Sequence, residues 1–348
     1  MASSMPAVVH YAVRAGGVEL REVPVPAPGE REVLLRVAAV GVCGSDVHTF
    51  HNTQSWPTSV PVVLGHEFCG EVAALGPGAK GFREGDWVVS ETAAEINEDS
   101  PQSRSGLYNL DPHRRGFGNA RDGAMARYVR VPTRCLHRMP AGLAPEVAAY
   151  TEPCCVAYNA VVGNARVRPG DVVVVIGPGP IGLLCAQVAR ICGAGAVVVA
   201  GTTRDKERLA IALKSGTTHG VDVETEDMAA LLRTLGDGGG ADVVVDAAGA
   251  SRALESALAW VRPAGTVCKV GWGPQPLGFS IDPLVQKNVT LQGSFSHNWP
   301  IWERVLRLLA AGQLDVRPLI SRVAGLEEWR SCFEGMAEGA LLKAVLKP

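Results

Sequence analysis

The pattern of apolar positions changes character about midway along the chain. Up to about residue 150 it forms short strand-like runs, such as Glu32–Val37 and Trp87–Ser90, between Gly/Pro turns at Pro26–Gly29 and Gly76–Gly81. That rhythm predicts an all-β region. From Asp171 the runs lengthen and alternate in kind. Strand Val172–Ile176 meets a glycine turn and helix Ile181–Cys192, followed by strand Ala196–Ala200 and helix Lys206–Lys214. Strand Asp242–Asp246, helix Arg252–Val261 and strand Thr266–Val270 come next. Alternating strands and helices predict a doubly wound parallel sheet, so the fold class is α/β. Residues 300–312 predict one more helix and Leu341–Leu346 a closing strand. No internal repeat or low-complexity tract is visible.

A chain of 348 residues exceeds one ordinary domain, so two are expected. Its composition, 47% hydrophobic and 20% charged, is that of a globular protein with sizeable cores. With a formal net charge of −2 and no Lys/Arg block, nucleic acid and membrane are excluded as expected partners. The longest apolar run is strand-sized and too short for a bilayer. Met1–Pro6 has no apolar signal-peptide core, so a cytoplasmic protein is expected. The nine cysteines then read as reduced thiols, one of them available to a metal, rather than a disulfide framework.

The turn Gly177-Pro178-Gly179-Pro180-Ile181-Gly182 fits G-x-G-x-x-G in the context that gives the motif meaning, after a strand and opening a helix. The glycines permit the tight turn, the approach of a pyrophosphate and close helix–strand packing. The helix N-terminus offers N–H groups to phosphate. About 20 residues on, a carboxylate would hold the ribose 2′-hydroxyl of NAD. Here Gly201-Thr202-Thr203-Arg204 stands instead. Small residues followed by Arg204 lean towards the 2′-phosphate of NADP, although Asp205 remains an acid within reach.

The first half carries Gly41-Val42-Cys43-Gly44-Ser45-Asp46-Val47-His48, then Gly65-His66-Glu67, then Glu152-Pro153. A thiolate, an imidazole and carboxylates suit zinc. Three protein ligands and one open position would be a catalytic arrangement, in which zinc lowers the pKa of a bound water from about 15.7 to about 7. Taken singly, Cys43 reads as core, His66 and Glu67 as a polar loop pair, and Glu152 as a helix start. Their occurrence ahead of a dinucleotide fingerprint favours the metal.

Together these segments resemble the zinc-dependent medium-chain dehydrogenase/reductase superfamily, in its sorbitol (polyol) and threonine dehydrogenase-like branch. The resemblance runs through "GVCGSDVH" at 41–48, "GHEFCGEVAALG" at 65–76, "GDWV" at 85–88, "GLYNL" at 106–110, "DGAMARYV" at 122–129, "TEPCCVAYNA" at 151–160 and "GPGPIG" at 177–182. It implies a GroES-like catalytic domain over 1–152 and 295–348 and a Rossmann dinucleotide-binding domain over 153–294. It implies Cys43, His66 and Glu67 as zinc ligands, with Glu152 ligating directly or through water. Ser45 would relay the substrate proton to the cofactor ribose, His48 would pass it to solvent, and Asp46 would orient a metal ligand. The cofactor would lie on Gly177, Gly179, Pro180, Ile181 and Gly182, with Thr202 and Arg204 at its ribose. A homodimer or homotetramer acting on a small alcohol, a polyol or sugar alcohol, is implied.

Two departures qualify this. Many relatives hold a second zinc with C-x-x-C-x-x-C-x7-C spacing, where this chain has Asn97, Ser100, Ser103 and Asp111. One catalytic zinc and no structural zinc are therefore expected, with the lobe at 91–120 depending on packing of Leu107, Tyr108 and Leu110, at a subunit contact if the protein is oligomeric. Polyol enzymes also tend to carry an Arg in the segment matching 293–297, where Ser296 and His297 stand. Phe50, Trp56, Phe117 and His297 are candidates to line a substrate pocket. The competing readings are a threonine-type or other hydroxy-compound dehydrogenase, a zinc-free reductase, and a non-catalytic dinucleotide-binding protein. The last would not need Ser45 and His48 in register with Cys43.

Overall fold

The computed structural model describes residues 4–348, so the expectation for Met1–Pro6 lies partly outside the described residues. Contacts divide the chain into two compact units. One takes the chain through Glu152, then His297–Gly312 and Val316–Pro348; the other takes Pro153–Ser296 and Gln313–Asp315.

In the first unit the described residues form a seven-stranded sheet. Its order is Arg322–Gly325, Ala344–Lys347, Glu32–Gly41, Glu67–Leu75, Trp87–Ser90, Leu136–Arg138, and Tyr128–Pro132 also pairs with Glu32–Gly41. Along Glu32–Gly41 the alternate residues Val33, Leu35 and Val37 point into one apolar core. Burying each such side chain contributes about 1.5–3 kcal/mol. Register sets up the site: Gly41 lies opposite Glu67 on one side and Val345 on the other. A separate three-stranded sheet orders Val18–Pro24, Ser4–His10 and Val62–Val63.

The all-β expectation for this region needs correction. Residues Gly44–His51 form a helix, α1, and it carries Ser45, Asp46 and His48. Cys43 is its N-cap, and Asp46 Oδ2 accepts the Cys43 backbone N–H at 2.9 Å, one half of a capping box. Asn52, with φ 54°, ends it.

The second unit is a six-stranded parallel sheet ordered His219–Asp222, Ala196–Gly201, Val172–Ile176, Ala241–Asp246, Val261–Lys269, Thr290–Gly293. All five residues of Val172–Ile176 are buried, as a strand covered on both faces requires. The helix after the glycine turn is α2, Pro180–Ile191. The strand expected at Thr266 begins earlier, at Val261, because Val261 pairs with Ala241 before a register shift. Strand order reverses at Val172–Ile176, the position where this fold class takes nucleotides beyond the strand ends. Among the described residues, no helix is long and apolar enough to cross a membrane.

Candidate active site

Cys43, His66 and Glu67 each offer one donor atom, and these atoms lie within 4.8 Å of one another, the one such group among the described residues. Local sequence explains the convergence. Cys43 ends the sheet strand's extension and caps α1. Gly65 turns the chain with φ 95°, and a Cβ there would meet Met125 Cγ at 2.8 Å and Val40 Cγ2 at 2.9 Å. Glu67 opens the next strand, facing Gly41, where a Cβ would stand 2.2 Å from Glu67 Oε2. Glycine at 41 is the room Glu67 occupies.

The surroundings concentrate charge. Asp46, 2% exposed, puts Oδ1 at 3.9 Å from His66 Nδ1. Burial works against a charged His66, but Cys43, Asp46 and Glu152 outweigh it and hold the ring well above its ordinary value. Lys343, 2% exposed, donates to Glu67 Oε1 at 2.7 Å and ion-pairs with Oε2 as well. Burial opposes that ammonium, yet Glu67 and Cys43 raise it above the ordinary lysine value. Glu152 lies outside the 4.8 Å set; its Oε1 takes a hydrogen bond from His297 at 2.9 Å. Burial would raise the Glu152 carboxyl, but His297, His66 and Lys343 bring it below the ordinary range.

These residues fit zinc. The donor set is thiolate, imidazole and carboxylate, and a carboxylate oxygen has lone pairs enough to serve Lys343 and a cation together.

On α1, half-buried Ser45 and exposed His48 stand three residues apart, a spacing that puts side chains on one face. His48 Nδ1 shares a 2.8 Å hydrogen bond with Thr53 Oγ1. Partial desolvation of its ring and the neighbouring His51 lower its pKa.

Asn97, Ser100, Ser103 and Asp111 come together as a hydrogen-bonded polar knot. The Asp111 carboxylate accepts the backbone N–H of Asn97 and, at 3.1 Å, that of His113. Ser100 Oγ bonds Ser103 Oγ at 3.0 Å and takes the Ser103 N–H at 3.1 Å. Within the single chain Leu107 and Leu110 are 46% and 49% exposed, so contacts inside the chain leave about half of each uncovered. Tyr108 does contribute, donating to Glu91 Oε2 at 2.6 Å. The pocket-lining expectation also changes. Phe50 and Phe117 lie in the core, Trp56 is half-buried with His48 at its edge, and His297 is buried with both ring nitrogens engaged.

In the second unit, Gly177 has φ 97°, and a Cβ on Gly182 would lie 1.9 Å from the Gly177 carbonyl oxygen. At Gly179, the N-cap of α2, a Cβ would meet nothing within 4 Å, so the backbone there is open to approach, with Pro180 and Ile181 in the first turn. Asp205 Oδ2 is turned back onto Thr202, accepting from its N–H at 3.0 Å and its hydroxyl at 2.8 Å. Arg204 is exposed.

The chain is similar to known proteins along its whole length. Residues 29–141 match the alcohol dehydrogenase GroES-like domain and residues 180–311 the zinc-binding dehydrogenase family. A sorbitol dehydrogenase of Halalkalibacterium halodurans is 38% identical over 345 residues, covering 99% of each chain. The chain belongs to the zinc-dependent medium-chain dehydrogenases. A D-arabitol-phosphate dehydrogenase of Enterococcus avium is 36% identical over 327 residues, 94% of this chain and 92% of that one. A structure described as a zinc-binding dehydrogenase from Sinorhizobium meliloti 1021, bound to NADP, superposes with TM-score 0.90 at 29% identity over 99% of this chain and 100% of that one. This medium-chain dehydrogenase is thus an NAD(P)-dependent oxidoreductase acting on a small alcohol.

Sequence reasoning did not foresee Lys343 or Gly41 as parts of the site. A lone lysine within the apolar run Leu341-Leu342-Lys343-Ala344-Val345 was the available signal for the first.

Proposed function

We propose that this dehydrogenase oxidises a secondary hydroxyl of a polyol or sugar alcohol, with one zinc per chain held by Cys43, His66 and Glu67 and with Glu152 beside them. The observation that carries this is the convergence of the three donor atoms within 4.8 Å. The likeness to sorbitol and arabitol-phosphate dehydrogenases supports the substrate class. Bound zinc would supply Lewis acidity that lowers the pKa of the substrate hydroxyl. A nicotinamide would take the hydride. Asp46 orients the centre through the Cys43 N–H and His66. Ser45, which can both accept and donate, takes the hydroxyl proton, and His48 releases it to solvent. The first unit serves as the catalytic domain and the second as the dinucleotide domain. Asp205, held by Thr202, is withdrawn from the ribose role, and the exposed Arg204 favours NADP. The Asn97–Asp111 knot takes no metal, and the working form is a cytoplasmic homo-oligomer.

The test is metal content per chain together with turnover of a polyol panel with each cofactor. One zinc and polyol oxidation are expected. Two tightly held zincs, or hydride transfer with no metal, would reject the reading.

A further inference from the structure

His297 stands between two buried partners whose chemistry leaves it one form. Trp302, 1% exposed, lies on helix α3 (Trp299–Ala310) and directs its indole Nε1 at His297 Nδ1, 2.8 Å away. An indole N–H only donates, so Nδ1 must be the acceptor nitrogen. The proton then sits on Nε2, which faces Glu152 Oε1 at 2.9 Å. With His297 itself 1% exposed, water does not compete for either contact. Trp302 is in turn fixed: His137 stacks on it at 5.4 Å with ring planes 8° apart, and α3 is tied at its start by Asn298 Nδ2 to the Gly106 carbonyl at 3.1 Å.

We propose that His297, set in a single tautomer by Trp302, is a positioning residue that fixes the Glu152 carboxylate beside the metal centre. The proposal rests on the zinc reading above. It assigns a task to His297 Nε2, the ring nitrogen left for Glu152 once Trp302 occupies Nδ1. Groups that orient a metal's carboxylates and imidazoles typically change affinity about 10–100-fold when removed.

The experiment compares wild type, His297→Leu, His297→Gln and Trp302→Phe as full-length protein. Zinc affinity is read by competition with a chelator, and the visible absorption of the cobalt-substituted protein reads ligand geometry. His297→Leu should weaken zinc by about 10–100-fold and shift the cobalt bands. His297→Gln, whose amide has both a donor and an acceptor, should restore most of both. Trp302→Phe keeps an aromatic side chain but removes the N–H that sets the tautomer, and should fall between. Affinity and cobalt bands of His297→Leu equal to wild type would overturn the proposal, as would a folded Gln variant no better than Leu. If the Leu variant does not fold, Trp302→Phe decides: unchanged affinity and bands overturn it. Failure of the wild type to bind zinc or cobalt would instead sink the zinc reading itself.

Discussion

Glu67 and Lys343 are 276 residues apart in sequence, yet their buried side chains meet at 2.7 Å. Removing one partner of such a pair leaves a charge without water or counter-ion, which costs about 3–5 kcal/mol. Lys343→Met should therefore lose stability of that order in the metal-free protein, read by denaturant unfolding. A cation on Glu67 restores a counter-charge and stabilises only the folded form, so added zinc should recover much of the loss. A metal-free variant as stable as wild type would show that the pair does not carry Glu67.

Gly41→Ala should act on the same carboxylate from the opposite side. The new Cβ would stand 2.2 Å from Glu67 Oε2, so Glu67 must move. Metal content should fall sharply while dinucleotide binding by the second unit persists, since Gly177–Gly182 belongs to another core. Full zinc occupancy in the alanine variant would contradict this.

The ligand types and the glycine turn were legible because each is a local pattern. Cys43 with Asp46 three residues on, Gly65 before His66, and Gly177–Gly182 between strand and helix all declare themselves within a few positions. Lys343 and Trp302 were not legible, because their meaning lies in contacts across long stretches of chain: a lysine in an apolar tail reads equally as one that reaches solvent. α1 went unseen since its eight residues give too short a window for helical periodicity, although its cap was present in the sequence. His219–Asp222 and Thr290–Gly293 were missed for the same reason of length, at four residues each. In the lobe, the Asp111 carboxylate that organises the turn was not legible, because its partners are backbone N–H groups up to 14 residues away.

That lobe gives the third prediction. Burial alone would raise the Asp111 carboxyl, but the His113 and Asn97 N–H groups outweigh it and hold it below the ordinary range. Asp111→Ala leaves both donors without their acceptor. It should loosen residues 97–113 in hydrogen exchange and make them a site of proteolysis. A chelator should leave the lobe of the unmodified protein intact. Separate melting of this segment on chelation would mean that it holds a metal after all.

Cofactor choice should turn on Arg204. Asp205 is bonded back to Thr202 and Arg204 is exposed, which leaves Arg204 as the group proposed to meet a 2′-phosphate. Hydrogen bonds to charged groups contribute about 1.5–3 kcal/mol. Arg204→Ala should weaken NADP binding by that amount and spare NAD, measured by titration calorimetry. Equal losses for both dinucleotides would remove the 2′-phosphate role.

The proton path is the sharpest test of mechanism. Alcohol oxidation releases a proton as well as a hydride, and that proton needs a route to solvent. Ser45 lies two residues from Cys43, and His48 stands one helical turn further along α1. Partial desolvation of the ring and His51 lower the His48 pKa. The sign follows: the imidazole is neutral and able to accept a proton at neutral pH, and it loses that ability only as pH falls through its lowered value, below the ordinary 6.5. Turnover in wild type should therefore decline on the acid side of that ordinary value. His48→Gln should abolish that titration and lower the neutral-pH rate, while hydroxide and buffer keep the alkaline plateau at the wild-type level. Ser45→Ala removes the hydroxyl proposed to take the substrate proton, so it should cut turnover at every pH. A positioned acid–base group contributes about 10²–10⁴-fold, and zinc content should stay normal because Ser45 is not a ligand. A Ser45→Ala enzyme at full rate across the pH range would end the relay, and His48 would then be an ordinary surface histidine bonded to Thr53.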